Sequence, residues 1–380
     1  MTSGWHTIAL GQLCSIKSGK SDTKDAVKDG EYAFFDRSRT IKRSTRYLYD
    51  CEALIIPGEG TEFLPRHFIG KFDLHQRAYA LFGFSNRIDV RFLYNFLHHK
   101  SEYFPQVAVG ATVKSLRLRH FEQLPVSLTT VPEQQRIVGI LDEAFEGIAT
   151  AKANAKKNLQ NARALFESHL QSVFTQRGEG WAEKKLGEIC ERITKGSSPK
   201  WQGIAYVDRP GILFVTSENV GEYAILLEQP KYVDEKFNAK DKKSILKRGD
   251  VLTNIVGASI GRTAVFDRDD VANINQAVCL IRCEPDQLNN FFLTYLLNSP
   301  VFKQVLHENE VDNARANLSL GFFSQLLVPT PSLSRQRDIV AKLDALREKT
   351  QRLESIYQQK LAALDELKKT LLHQAFTGAL

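Results

Sequence analysis

WHTIALGQLC at residues 5–14 returns as WAEKKLGEIC at residues 181–190, with Trp, Leu, Gly and Cys in the same places and an offset of 176. A few residues on, IKSG (16–19) is answered by ITKG (193–196). Further along, EQQRIVGILD (133–142) is answered by RQRDIVAKLD (335–344), now at an offset of 202. The same 202 relates Leu170, Phe174 and Thr175 to Leu372, Phe376 and Thr377. Four matches in one order, two of them at one offset, identify a tandem duplication. The copies share an opening, differ by 26 residues in the middle, and close with segments of equal length.

Each copy has two parts of different character. Residues 1–131 and 178–331 hold most of the Gly, Pro and aromatics, with short apolar runs (ALII at 53–56, ILFV at 212–215, VCLI at 278–281) bounded by turns such as PGEG (57–60) and RGD (248–250). That pattern predicts strands with a few helices, among them 90–99 and its counterpart 289–298. Residues 132–177 and 332–380 lack internal Pro after their first residue, and each begins beside a Pro, as helices often do. In the second, Leu343, Leu346, Leu353, Tyr357, Leu364 and Leu367 lie on one 3,4-spaced stripe; in the first, Leu141, Ile148, Ala151, Ala155 and Leu165 do. One stripe is mostly Ala and the other mostly Leu and Tyr, so the two helices are expected to pair. The fold class expected is α+β: two mixed α/β globules joined by two long antiparallel coiled-coil helices, with a pseudo-twofold internal repeat.

The 380 residues are 43% hydrophobic and 25% charged, which supports folded cores and excludes disorder. No apolar stretch reaches the roughly 18 residues of a membrane span, and the polar start does not read as a signal peptide, so the cytoplasm is the expected compartment. Five scattered Cys without a C-x-x-C pair indicate neither a zinc site nor a disulfide framework. Gly19-Lys20-Ser21 looks like the end of a phosphate loop, but Cys14 stands where that loop needs Gly. No G-x-S-x-G, H-E-x-x-H or N/D-P-P-Y/F motif occurs. His98 and His99 read as solvated. The expectation is a chain with no catalytic residues, cofactor or metal.

The net charge of +7 is unevenly placed: residues 1–131 carry 18 basic and 13 acidic side chains, residues 178–331 carry 18 and 20. Arg37, Arg39, Lys42, Arg43 and Arg46 form a run without an acid, interleaved with hydroxyls; Lys114, Arg117, Arg119 and His120 form a second cluster. Such spacing suits phosphate contacts, and Arg also offers a fork that reads guanine. Lys17, Lys20, Gln76 and Arg77 complete the first globule's candidates. In the second globule the candidates are local and polar: Lys195, Ser197, Ser198 and Lys200; Asn254, Ser259 and Arg262 in NIVGASIGR; Asn273, Asn275 and Gln276 in ANINQA; Arg315 and Asn317 in DNARAN. Amides can pair bidentately with adenine.

With the duplication, the two helices and the paired QRIV and RDIV segments in hand, the chain resembles the specificity (S) subunit of type I restriction–modification systems along its whole length. The carrying pieces are the W-x4-L-G-x-[LI]-C openings, the GDVL, GASIGR and NQA series, the helix start at 132–142 and the closing FTG at 376–378. Two departures stand out: Arg335 replaces the counterpart of Glu133, and PGEGTEF replaces the more usual G-x-x-G-R series in the first globule. The resemblance implies a non-catalytic subunit. Each globule would be a target recognition domain reading half of an asymmetric bipartite site in double-stranded DNA. The helices would set the spacing and dock two methyltransferase subunits, with restriction subunits joining the full complex. Two rivals stay open: the specificity subunit of a type IIB-like system, and a two-globule scaffold that does not bind DNA.

Overall fold

The computed structural model of the chain describes residues 4–208, 211–311 and 316–380. The chain forms two compact units, residues 1–156 with 358–380 and residues 157–357, so each long helix contributes to both.

The first globule begins with β1 (His6–Ala9), β2 (Ser15–Ser18), β3 (Tyr32–Phe35), β4 (Lys42–Ser44), β5 (Tyr49–Pro57), β6 (Arg66–Leu74) and β7 (Ala78–Phe82). Then come α1 (Val90–His99), α2 (Phe104–Val107), α3 (Leu118–Glu122), β8 (Pro125–Leu128) and the 45-residue α4 (Val131–Thr175). Six strands form one sheet in the order β2-β7-β5-β6-β3-β4, and β1 pairs with β8. Nine-residue β6 is antiparallel to β5 and, toward its end, parallel to β3, so one strand joins both halves of the sheet.

The second copy repeats this plan with β9 (Ala182–Lys185), β10 (Cys190–Lys195), β11 (Tyr206–Val207), β12 (Ile212–Val215), β13 (Tyr232–Val233) and α5 (Lys236–Lys240). It continues through β14 (Val251–Asn254), β15 (Thr263–Val265), β16 (Ala272–Ile274), β17 (Val278–Cys283), α6 (Asn290–Asn298), α7 (Pro300–Glu308), α8 (Leu320–Gln325), β18 (Leu327–Thr330) and the 45-residue α9 (Leu333–Thr377). Here the counterpart of β6 is broken into β15 and β16 by the buried Phe266 and an exposed DRDDV segment, and the sheet divides into β10-β17-β14-β15 and β11-β13-β12-β16. Most of the extra length lies between β12 and β14. One further residue is a β-bulge: the register shifts between Cys190 and Arg192, which raises the repeat offset from 176 to 177 at Ile193.

The repeated motifs have physical causes. A Cβ on Gly19 would lie 1.9 Å from the Leu74 carbonyl oxygen, and one on Gly196 would lie 1.8 Å from that of Ile274, so the IKSG and ITKG glycines are fixed by backbone approach. In each long helix the first turn carries a fully buried glutamine. Gln134 Oε1 accepts from the Asp89 N–H at 2.8 Å, and Nε2 donates to the carbonyls of Arg87 (3.0 Å) and Thr129 (2.8 Å). Gln336 does the same with Asn289 (2.8 Å), Gln287 (3.0 Å) and Pro331 (2.9 Å). Asp89 and Asn289 are themselves the N-caps of α1 and α6. One side chain thus ties the globule's helix to the start of the long helix.

In the first unit the core takes Ile137 and Leu141 from α4 and Leu372 and Phe376 from α9; in the second it takes Leu170 and Phe174 from α4 and Ile339 and Leu343 from α9. The helices run antiparallel in both units: Lys152 pairs with Asp365 in the first, and Arg163 with Glu354 at 2.9 Å in the second. The stripe is not the expected one throughout. Leu141, Ile148 and Ala155 are buried and Ala151, Leu346, Tyr357 and Leu364 half-buried, but Leu165, Leu353 and Leu367 are 53%, 39% and 46% exposed. The inward positions step by four then three residues (148, 152, 155, 159, 162, 166), so Phe166 rather than Leu165 turns inward, against Tyr223 and Tyr295. A 3,4 and a 4,3 stripe share alternate members and lie on adjacent faces, and only the position of the partner helix selects between them.

Replacing Gln336 or Gln134 with Leu should leave a buried N–H and two buried carbonyls unsatisfied. A loss of about 3 kcal/mol is expected, read as a fall in the thermal midpoint. A midpoint within a degree of wild type would show that these contacts do not hold helix to globule.

Candidate nucleic-acid interface

Both globules present the same arrangement of loops. In the first, Gly58 N–H donates to the Arg77 carbonyl (2.8 Å), Gly60 N–H to that of Lys114 (3.0 Å), Leu116 N–H to that of Gly58 (2.8 Å), and Val109 N–H to that of Ser115 (2.9 Å). In the second, Ile255 donates to Ala277, Gly257 to Ala316, Leu318 to Ile255 and Val311 to Asn317, each at 2.9 Å. Three segments are therefore pinned together in each copy: the exit of β5 or β14, the turn before β7 or β17, and the 109–116 hairpin or the paired Val311 and 316–318. The turn before β7 carries Gln76 and the turn before β17 carries Gln276, 200 residues apart.

The basic run of the first globule has partners within the fold at four of its five positions, while Arg37, Arg39, Arg43 and Arg46 remain exposed. Lys42 Nζ lies 2.6 Å from Asp36, whose carboxylate is buried. Burial raises the Asp36 pKa, but hydrogen bonds from Lys42 and Ser38 outweigh it and hold the carboxyl below its usual value. Arg43 donates to the carbonyls of Gly30 and Glu31, both at 2.8 Å. Arg39 pairs with Glu62, and Arg46 spans Asp25 (3.1 Å), Ser21 (2.9 Å) and Asp73 (3.5 Å). A single sequence shows that 37–46 has no acid, but the acids that neutralise it arrive from 25, 36, 62 and 73. Arg37 stays exposed with no ion pair among the described residues, beside a groove of about 590 Å³ that Arg39, Glu62, Arg66 and His98 also line. His98 is not solvated: burial, with Lys368 nearby, lowers its pKa to about 4. His99 stacks on Phe376 at 5.6 Å.

Lys17, Lys20 and Lys114 are exposed, Lys17 lying 5.9 Å from the Phe82 ring. Arg77 pairs with Glu59 at 3.1 Å, and the Gln76 amide donates to Asp22 at 3.2 Å. Arg117 and Arg119 are exposed on and beside α3.

In the second globule Lys195, Lys200 and Arg262 are exposed, and Ser198, Ser259, Asn275, Gln276 and Asn317 are half-buried. Asn275 Oδ1 accepts from the Ala277 N–H at 3.1 Å and shapes the turn. Lys195, Gln276 and Asn317 come together around a groove of about 270 Å³. Three candidates are used internally. Asn254 is wholly buried and donates to Ser217 and Val220 carbonyls (2.9 and 3.3 Å). Asn273 is buried and donates to Asn238 (2.7 Å) and the Asp241 carbonyl (3.1 Å). Ser197 donates to Asp241 at 2.5 Å. Arg315 lies outside the described residues. Sequence reasoning passed over Trp201, which lines the same groove and is 80% exposed; the only signal was an aromatic beside Lys200. No His/Cys/Asp/Glu group among the described residues is arranged to hold a metal, and no described helix is long and apolar enough to cross a membrane.

The family model for the type I restriction modification DNA specificity domain matches residues 2–161 and 178–362. The specificity subunit of type I restriction enzyme EcoBI from Escherichia coli is 24% identical over 99% of this chain and 86% of its own length. That of MjaVIII from Methanocaldococcus jannaschii is 22% identical over 98% and 92%. The crystal structure of the HsdS subunit from Thermoanaerobacter tengcongensis has a TM-score of 0.61 at 19% identity, covering 100% of this chain and 98% of its own. A chain from a type I R-M system, solved to explain complex assembly and conformational transition, has a TM-score of 0.76 at 18% identity, covering 100% and 99%. These two structures share the fold.

Lys42→Gln should cost about 2 kcal/mol by stranding the buried Asp36 carboxylate, whereas Arg37→Gln should stay within about 0.5 kcal/mol. Because the Asp36 pKa is lowered on folding, the contribution of the pair is present above the ordinary carboxylate pKa and is lost as pH falls through the lowered value. Thermal unfolding of both variants from neutral to acidic pH checks this; equal midpoints would remove Lys42 from its bracing role.

Proposed function

The chain belongs to the family of type I restriction–modification DNA specificity domains, and on that premise we propose that each of its globules reads one half of a bipartite duplex-DNA target. The observation that carries the reading is the same hydrogen-bonded loop frame in both globules, with different polar side chains set on it. A duplicated frame with divergent side chains suits an asymmetric target with two halves. In the first globule Lys17, Lys20, Arg37 and Lys114 would contact phosphates; in the second, Lys195, Lys200 and Arg262 would. Gln76 and Gln276 would reach base edges, where an amide matches adenine.

In this reading the subunit does no chemistry itself. Methyl transfer and cleavage belong to partner methyltransferase and restriction subunits, and the paired α4 and α9 dock the methyltransferases and set the spacing between half-sites. The exposed polar outer faces of both helices leave room for such docking.

Two outcomes follow. Lys20→Gln with Lys114→Gln should weaken binding to cognate and random duplexes alike, and the slope of log affinity against log salt should become shallower by up to about one per lost phosphate contact. An unchanged slope would take both residues out of the interface. Inserting one heptad after Gln160 and one after Tyr357, opposite each other in the register of the Arg163–Glu354 pair, adds about 10 Å of helix. Methylome sequencing should then find the same half-sequences about three base pairs further apart. An active variant that kept the original spacer would show that the helices only tether the globules.

A further inference from the structure

Trp201 is the most exposed large apolar side chain among the described residues, at 80%, and its setting is rigid. It sits in the 3-10 turn Lys200–Gln202, closed by Gly203 at φ +69. The Gln202 N–H and the Ile204 N–H both donate to the Pro199 carbonyl (3.0 and 2.9 Å). The Gln202 side chain donates to Ser197, which donates to the buried Asp241, and Lys240 Nζ donates to the Gln202 carbonyl at 2.8 Å. The braced turn fixes the indole on the rim of the groove that Lys195 and Gln276 also line, so apolar and polar groups face one place.

The repeat shows what the position is for. The turn Thr23–Asp25 of the first globule and the turn Lys200–Gln202 of the second both follow the close-approach glycines, Gly19 and Gly196, at the same offset of 177. Lys24 therefore stands where Trp201 stands, and Asp22 where Pro199 stands. In the first globule Asp22 occupies the Gln76 amide at 3.2 Å. Proline cannot do this, and the Gln276 amide has no protein partner among the described residues. The second globule also carries 18 basic against 20 acidic residues, whereas the first is basic. It cannot rely on bulk charge for its grip.

We propose that Trp201 is the main apolar base contact of the second globule, working beside Gln276 and Lys195, and that Lys24 fills the same place in the first globule as a phosphate contact. This rests on the DNA-reading function proposed above. Apolar side chains on base edges and steps contribute sequence discrimination with little salt dependence, whereas a lysine on phosphate contributes the reverse.

The test uses the full chain with two duplexes of equal length, one enriched from a randomised pool and one of random sequence. Trp5 and Trp181 are half-buried, so acrylamide quenching of the chain reports chiefly Trp201. The enriched duplex should shield it. Trp201→Ala should weaken the enriched duplex about tenfold with an unchanged salt slope. Trp201→Phe, which keeps an aromatic ring, should stay within about threefold. Lys24→Gln should make the slope shallower by about one. If the chain binds DNA but Trp201→Ala stays within twofold and quenching is unaltered, the assignment of Trp201 falls and the DNA-reading function stands. If the unsubstituted chain shows no salt-dependent binding to either duplex, both fall.

Discussion

One buried amide at the start of each long helix sets the geometry on which the rest depends. Gln134 and Gln336 each satisfy an N–H at the N-cap of a globule helix, a carbonyl two residues before that cap, and a carbonyl on the approach to the long helix. A buried polar side chain is tolerable only when all its bonding capacity is met, and then it permits one arrangement and penalises the others. The globule cannot turn on its helix without breaking three hydrogen bonds that no water can replace. An apolar contact at the same place would allow sliding. That difference separates a globule held in a defined orientation on its helix from one held loosely.

Above that joint the two copies keep a constant frame and vary what is mounted on it. The backbone bonds from Gly58, Gly60, Leu116 and Val109 return at Ile255, Gly257, Leu318 and Val311, while the side chains around them differ: Asp22, which bonds Gln76, is replaced by Pro199, and Lys24 by Trp201. Backbone hydrogen bonds do not depend on side-chain identity, so the frame survives substitutions that alter the side chains mounted on it. The frame also consumes residues that look available. Asp73 and Asn273 both accept from the next residue's N–H (2.9 and 2.8 Å) and lie buried beneath the loops.

Much of this was legible in the sequence because repetition compares the chain with itself. The duplication, the two long helices and the helices expected at 90–99 and 289–298 follow from matched motifs and apolar spacing. The seam was half legible: Leu141, Ile148 and Ala155 belong to both possible stripes, while Leu165 and Phe166 compete on near-equal terms until the globule core claims the phenylalanine. Surface charge was the least legible. The run 37–46 contains no acid, yet Asp36, Asp25, Glu62 and Asp73 reach it through the fold, at up to 27 residues' separation. Trp201 is invisible to periodicity, since a lone aromatic in a turn reads as core until its exposure is known.

The central claim is that two equivalent frames read two half-sites independently. Exchanging residues 178–331 for the corresponding globule of another member of the family, with β9, α6 and the Gln336 contacts preserved, and sequencing the methylome in cells that supply the partner subunits, tests it most directly. The account predicts that one half of the methylated motif changes while the other half and the spacer persist. A change in both halves would contradict it.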